Sequence, residues 1–570
     1  MNQRPDAADA ARQGEDRPAP SGPLTSRRSF LQAAAMGTVA ASMGGSILAA
    51  CTTKTAEQSS TAKAKLPSYI PIKGPKPDLP GTAAGVQDGY LTYPKNLIQS
   101  VKGTPASGGD ITALVIQYFP PPTPMDQNAY WQELNKQLGA TFRPIITPDP
   151  NFTDKLTSII AGGDLPDLTL ITAGGVPNQA DLVQAKCANL DEYLVGDALK
   201  DYPNLANLPT FAWKSTVYAG SVYGIPHPRG VFGNGMFVQQ NLLDQAGVSS
   251  PKNADDFLRA MKEITQPKRN VWGIGATLNS TYGIGFFLQL FGAPNGWKQH
   301  GGKFTRDLET EEYKETVAYM QKLFQAGVFH PDSNNTSTSQ SKAAFVGGKF
   351  ATYWDGFNAF QQHWETIAPI NPDFKIRVII PFGHNGGKGR YFFGGGSFGN
   401  TFIKKGSASR VKELLRVVDW FAAPFGSKEY ELITSGVKDV DYTLDDKGNP
   451  IPTKRGQAET TLSSGTVGTY VVNCPTPIFD PKYPDYTRVV HQQEEQLVPL
   501  GVMNPTVGLY SNTNVSKGTT LGQMVNDRVS AIIAGRAPIS DLDRLVSDWK
   551  SQGGDQIRQE YEEGYKKNPT

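Results

Sequence analysis

The sequence predicts an α/β fold assembled from at least two packed units. Three observations carry that reading. At 570 residues the chain is longer than a single hydrophobic core organises. Between residues 110 and 172, apolar runs alternate with helix-period patterns in the order strand, helix, strand, helix, strand, which is the order of a parallel sheet. Strand-like and helical runs then resume from Gly230 to Pro424, enough for a second sheet.

The chain begins with a polar lead-in, residues 1–25, followed by Ser26-Arg-Arg-Ser-Phe-Leu-Gln32 and a small-residue apolar run that closes on Leu48-Ala49-Ala50-Cys51. A charged start, a short apolar stretch and small residues before a cut are the parts of an export signal. The Arg27-Arg28 pair resembles the twin-arginine class, and the closing tetrapeptide resembles a bacterial lipobox whose cysteine becomes the lipidated first residue. The alternative is a retained membrane helix. The run is too weakly apolar and too short of the roughly 20 residues a bilayer requires. Residues 1–50 are therefore expected to be a removed signal, with Cys51 the lipid anchor on the outer face of the cell membrane. From 51 to 109 the chain is polar and then dense in proline, the composition of a tether. Its latter part, Gly81 to Gly109, is also compatible with an extended segment laid against the body.

The first strand is Asp110-ITALVIQYF, stopped by Pro120-Pro121-Pro122. A helix from Asn128 follows, with Tyr130, Trp131, Leu134 and Leu138 on one face and Gly139 at its end. Thr141–Thr147 is a strand, Phe152–Gly163 a helix and Leu168–Thr172 a strand. Asp164 and Asp167 read as turn residues. Further on, Trp272-GIGATL, Phe350-ATYWDG and Ile376-RVIIPF are strand-like, while Glu311–Gly327 and Val411–Pro424 are helical. Asp439-VDYTLDDKGNP reads as a hairpin turning at Lys447-Gly448-Asn449, with loose calcium coordination as its alternative. Two helices, Leu521–Ala534 and Ser540–Tyr565, close the chain.

A net charge of +2 argues against a general electrostatic grip on nucleic acid. No Cys/His spacing suggests zinc, and neither metal nor cofactor is expected. With Cys51 acylated, Cys187 and Cys474 remain, either bridged or as two buried thiols.

Several stretches then match one family in order and spacing. They are Ala161-Gly-Gly-Asp-Leu-Pro-Asp167, Ser221-Val-Tyr-Gly-Ile-Pro226, Gln240-Asn-Leu-Leu243 and Gly347-Gly-Lys-Phe-Ala-Thr-Tyr-Trp-Asp-Gly356. Together with the lipobox they resemble the family 1 extracellular solute-binding lipoproteins of ABC importers, the maltose-binding-like, sugar-binding group, over about residues 110–570. The resemblance implies a two-lobe periplasmic-binding-protein-like fold of type II, with crossover strands and a ligand cleft between the lobes. One lobe would combine 110–228 with 382–435, the other 229–381 with 436–570. It further implies a monomer that hands a carbohydrate, an oligosaccharide above all, to ABC permease subunits.

Sugars are held by aromatic faces together with carboxylates, amides and arginines. The residues expected to do this are Tyr118 and Phe119 before the triple proline, His227 and Arg229 at the first crossover, Trp354 and Asp355 at a strand end, and Phe393 beside Gly394-Gly395-Gly396. Five of them have a bland alternative: core packing for Tyr118, Phe119 and Trp354, a turn for Asp355, a hinge salt bridge for Arg229. The low charge content favours a neutral sugar, while Arg229 and Arg390 leave uronate-containing oligomers open. No catalytic residue is expected. Gly395-Gly-Ser-Phe-Gly399 has the letters of a nucleophile elbow without a following helix. A lipid-anchored glycoside hydrolase and a lectin-like sensor are the alternative functions.

Overall fold

The computed structural model describes residues 65–117, 121–277, 281–334, 338–371, 373–460, 471–472 and 477–567. The expected export signal and Cys51 lie outside them, as do Tyr118, Phe119 and Cys474.

Nine strands form the two principal sheets: β1 (Asp110–Gln117), β2 (Thr141–Pro148), β3 (Leu168–Thr172), β4 (Gly224–Pro228), β5 (Asn234–Gln239), β6 (Trp272–Thr277), β7 (Phe350–Gly356), β8 (Ile376–Val378) and β9 (Ser397–Ile403). The first sheet has the order β2-β1-β3-β9-β4. Its β2, β1 and β3 are parallel, and β9 runs antiparallel to both β3 and β4. The second has the order β8-β5-β7-β6, with β5 antiparallel to its neighbours and β7 parallel to β6.

The local chemistry of the first sheet agrees with its sequence. Helix α1 (Ala129–Leu138) starts where the Asn128 side chain accepts the N–H of Trp131 and stops at Gly139, whose φ of 71° suits a residue without a Cβ. Helix α2 (Asp149–Gly162) begins three residues earlier than its apolar pattern, because Pro150 is tolerated in a first turn. Asp167 accepts from the backbone and hydroxyl of Thr112 and pairs with Arg410, pinning the turn before β3. These elements share one core with α3 (Ala408–Phe421), which follows β9 once the chain has come back from the second sheet.

The second sheet is covered by two groups of side chains. One includes Phe257, Phe287, Met320 and Trp354 and continues into the C-terminal helices. The other includes Phe237, Tyr353 and residues of α4 (Pro484–Leu497). The chain end differs from its sequence pattern. Helix α5 (Asn512–Ile533) begins nine residues early, capped by Ser511, whose hydroxyl accepts from Asn514. The expected final helix is two, α6 (Asp541–Trp549) and α7 (Asp555–Lys567), joined by a wide turn in which Gly553 has φ 148°. An L-residue is strained there, so the break belongs to that glycine.

Residues 437–472, expected with the second lobe, make their described contacts with the first core instead. Val471 and Val472 pack into it, and Glu459 accepts the N–H of Ala129 at the start of α1. The hairpin is present as Tyr442–Leu444 against Pro450–Pro452, and Asp445 accepts the N–H groups of Lys447 and Asn449 in its turn. Cys187 is a free, buried thiol whose pKa burial pushes up to about 12.

The described part of the proline-rich stretch is docked. Ile70 donates to Ala206, Ile98 exchanges backbone bonds with Gly426 and Lys428, and Gly89–Tyr90 pairs in parallel with Ile478–Phe479. Composition alone suggested a free tether, but prolines also suit extended chain whose partners lie elsewhere on the body.

Two buried carboxyls make stability pH-dependent. Burial raises Asp419, whose carboxylate accepts the Leu205 N–H, to about 8, and raises Glu494 on α4 to about 8 as well. Between the unfolded carboxylate pKa of about 4 and the folded values, the native state holds more protons, so stability falls as pH rises. The contribution is complete below about pH 4 and lost through about pH 8. Melting temperature is expected to decline across that range. Asp419→Asn, which keeps an acceptor for Leu205, should make the decline shallower.

Candidate ligand-binding site

Ligands on open α/β sheets bind beyond the carboxyl ends of the parallel strands. In the first sheet that edge carries Ala173 and Gly174 after β3, both exposed, and Arg229 after β4. Two connections of the described chain meet at this edge. Residues 229–233 run from β4 to β5, and residues 379–396 run from β8 back to β9. The two crossings lie side by side: Arg229 N–H donates to Gly396 O at 3.0 Å, Gly394 N–H to Val231 O at 2.8 Å, and Phe232 bridges Phe393.

At this junction the Arg229 guanidinium sits 4.3 Å above the centre of the Phe398 ring. Phe398 is the second residue of β9, so the sheet positions the ring and the ring positions the cation. Beside them Phe211 is 51% exposed, a large apolar face left in water. Its ring rests on Gly396, where a Cβ would come within 3.1 Å of it and where φ is +66°. A side chain at 396 would therefore lift Phe211 away. The result is a shelf of two aromatic rings and one arginine at the mouth of the crossings. On the other flank of Gly174, Asn178 N–H donates to Asn512 Oδ1 (3.2 Å) and Gln179 N–H to Tyr510 Oη (3.4 Å), so α5 of the second body borders the same edge.

The remaining expected site residues fall differently. His227 lies on β4 with no exposed surface, its Nε2 2.8 Å from the Thr401 hydroxyl. Burial, reinforced by the charge of Arg229, pushes its pKa down to about 3 against a raising contribution from the Val471 backbone. It is neutral and buried where the first crossing begins. Trp354 and Asp355 do stand at the carboxyl end of β7, but β7 is paired on both edges and covered on both faces. Trp354 is 5% exposed, and a Cβ on Gly285 would come within 2.7 Å of its ring. Asp355 is tied to His363 Nε2 at 3.0 Å and Lys342 Nζ at 3.3 Å. Both are buried here, Trp354 within the second core and Asp355 in its ion pairs. Phe393 is half-buried, its ring laid over Gly501, where a Cβ would overlap it. It holds the crossings to residues 501–502.

The structure thus brings Arg229 and His227 to one crossing and Phe393 to the other, and places Trp354 and Asp355 in the second core. Sequence reasoning missed Phe211 and the stacking role of Phe398. Phe398 was inside a stretch singled out for its glycines, but nothing in Pro209-Thr-Phe-Ala-Trp213 tells the exposed Phe211 from the fully buried Trp213.

The arrangement offers ring faces and a cation with which to grip a ligand. The Ser397 hydroxyl donates to Gly399 O within β9 itself, so no elbow forms. Among the described residues no group of three or more His, Cys, Asp or Glu is arranged to hold a metal ion.

A family model described as bacterial extracellular solute-binding protein matches residues 129–416, half of the chain. The polygalacturonan/rhamnogalacturonan-binding protein YtcQ of Bacillus subtilis (strain 168) is 28% identical over 485 residues, covering 82% of this chain and 93% of its own. The lipoprotein LipO of the same organism is 25% identical over 482 residues, 81% of this chain and 93% of its own. The solved alginate-binding protein AlgQ2 without calcium ion superposes with a TM-score of 0.60 at 15% identity, covering 82% of this chain and 99% of that one. That likeness establishes the two-lobe, type II periplasmic-binding-protein fold.

Proposed function

Because the chain belongs to the bacterial extracellular solute-binding protein family, we propose that it is the capture subunit of an ABC importer for an acidic oligosaccharide. It binds the sugar outside the membrane and releases it unaltered to the permease. The observation that carries this reading is the Arg229–Phe398–Phe211 shelf at the crossings. Aromatic faces suit the C–H faces of a sugar ring, and a planar guanidinium suits a carboxylate in two-bond register. The name of YtcQ, a polygalacturonan/rhamnogalacturonan-binding protein, points to the same ligand chemistry. Uronates thus replace the neutral sugar that the overall charge content favoured. The two lobes, built on the first and second sheets, close on the ligand as a monomer. Export through Arg27-Arg28 and acylation at Cys51 hold the protein on the outer face of the cell membrane, a reading supported by the lipoprotein LipO.

A glycan panel separates this reading from the hydrolase and the sensor. The protein comprising residues 52–570 is heated with oligogalacturonides, neutral cello- and malto-oligosaccharides, and monosaccharides. A ligand held only by the native state raises the melting temperature by mass action, about 2.7 kcal/mol of stabilisation at 100 times Kd. Oligogalacturonides are expected to give the largest shift and to be recovered at their starting length. Shortened products would replace this reading with the hydrolase.

A further inference from the structure

We propose that residues 66–107 form a strap that ties both bodies together at the crossings and restrains how far they open. The path of the strap supports this. It begins on the first body, where Ile70 N–H donates to Ala206 O (2.7 Å) and Ile72 N–H to Asn207 Oδ1 (2.9 Å). It then meets the second. Pro80 O lies 3.1 Å from His491 Nε2, Gln87 N–H donates to Glu494 Oε2 at 2.8 Å, and Ile478 N–H donates to Asp88 O at 2.8 Å. All three partners flank or belong to α4, which is bonded to β8 through paired Gln493–Val378 hydrogen bonds of 2.9 and 2.7 Å. Finally it returns to the first body. Tyr90 and Tyr93 pack on Phe425 with ring centres 4.6 and 5.3 Å away, and Ser100 donates twice to Glu429 at 3.0 Å.

The middle of the strap is a closed finger. Leu79 and Gly89 exchange backbone bonds of 3.0 and 2.8 Å at its base, and Thr82 and Val86 bond across its tip. The tip sits on the first crossing. Gly85, at φ +124°, lies so near Val231 that a Cβ would stand 2.6 Å from it, and the Gln87 side chain lies against Gly230. Gly230 follows Arg229, so the finger also supports the backbone that presents the ligand cation. A segment fixed at both ends to one body and at its centre to the other is a mechanical link. Placed at the crossings, it lets the bodies bend about that line and resists their sliding or spreading.

Gln87→Pro tests this, because proline removes the N–H that Glu494 accepts. Gln87→Ala, which keeps that N–H and removes the side chain on Gly230, is the milder companion. Ser100→Ala is the control, since it removes one hydroxyl bond while that end stays held by the Ser100 N–H, the Ile98 backbone bonds and the Tyr90 and Tyr93 rings. Spin labels at Lys200 and Glu315, both exposed on different bodies, report the inter-body distance without ligand. Gln87→Pro is expected to broaden that distribution, Gln87→Ala to broaden it less, and Ser100→Ala to leave it unchanged. Affinity for trigalacturonate should fall about two- to tenfold with Gln87→Pro, because fewer molecules are poised to bind. Unchanged distributions in both folded Gln87 variants would overturn the proposal, and so would equal broadening by Ser100→Ala. The distance readout needs no ligand, so its outcome is independent of whether uronates are the cargo.

Discussion

Arg229→Ala is expected to weaken trigalacturonate binding by about 10- to 100-fold, the range for losing a hydrogen-bonded partner to a charged group. The guanidinium is held over Phe398 at 4.3 Å, and its backbone is fixed by Gly396, so the cation is placed before the ligand arrives. Arg229→Lys keeps the charge but loses the planar fork and the stacking, and should recover only part of the affinity. Methyl-esterified trigalacturonate, which lacks the charge, should bind the native protein more weakly and lose little more with Arg229→Ala. That non-additivity, measured by titration calorimetry, isolates the Arg–carboxylate contact from general damage. Equal losses for both ligands would reassign Arg229 to holding the crossings.

Trp354→Ala should cost about 3–5 kcal/mol of folding stability, the usual penalty for emptying a large core site. The indole is 5% exposed, rests against Gly285 and has the Phe286 ring 6.4 Å away. Chemical denaturation reads the loss directly, and trigalacturonate affinity of the folded fraction should change little. The reverse pattern, lost affinity with stability kept, would return Trp354 to the ligand. Asp355→Ala should also destabilise, by leaving His363 and Lys342 without their shared carboxylate.

Much of the fold was legible because local signals and burial agree in the first sheet. Asn128 and Gly139 mark both ends of α1, and apolar runs at Asp110 and Leu168 mark strands buried on both faces. The misplacements share one cause, which is that burial is a tertiary property. An aromatic-acid pair at a strand end looks the same in sequence whether its side chains face a cleft or, as for Trp354 and Asp355, are buried. Proline-rich chain reads as a tether until its hydrogen bonds are found on Ala206, Gly426 and Ile478. Phe211 shows the converse. Its exposure depends on Gly396, 185 residues away in the chain and brought beside it only by the return of β9. Arg229 was singled out because the family resemblance put a crossover near Pro226 to Gly230, and in the structure residues 229–233 do connect β4 to β5.

Solution scattering with and without saturating trigalacturonate, followed by mass analysis of the recovered sugar, tests the central claim most directly. A hinged capture protein is expected to show a smaller radius of gyration with ligand and to return the trisaccharide intact. Binding with no change in radius would contradict closure of the two bodies, and recovery of shorter fragments would contradict release without chemistry.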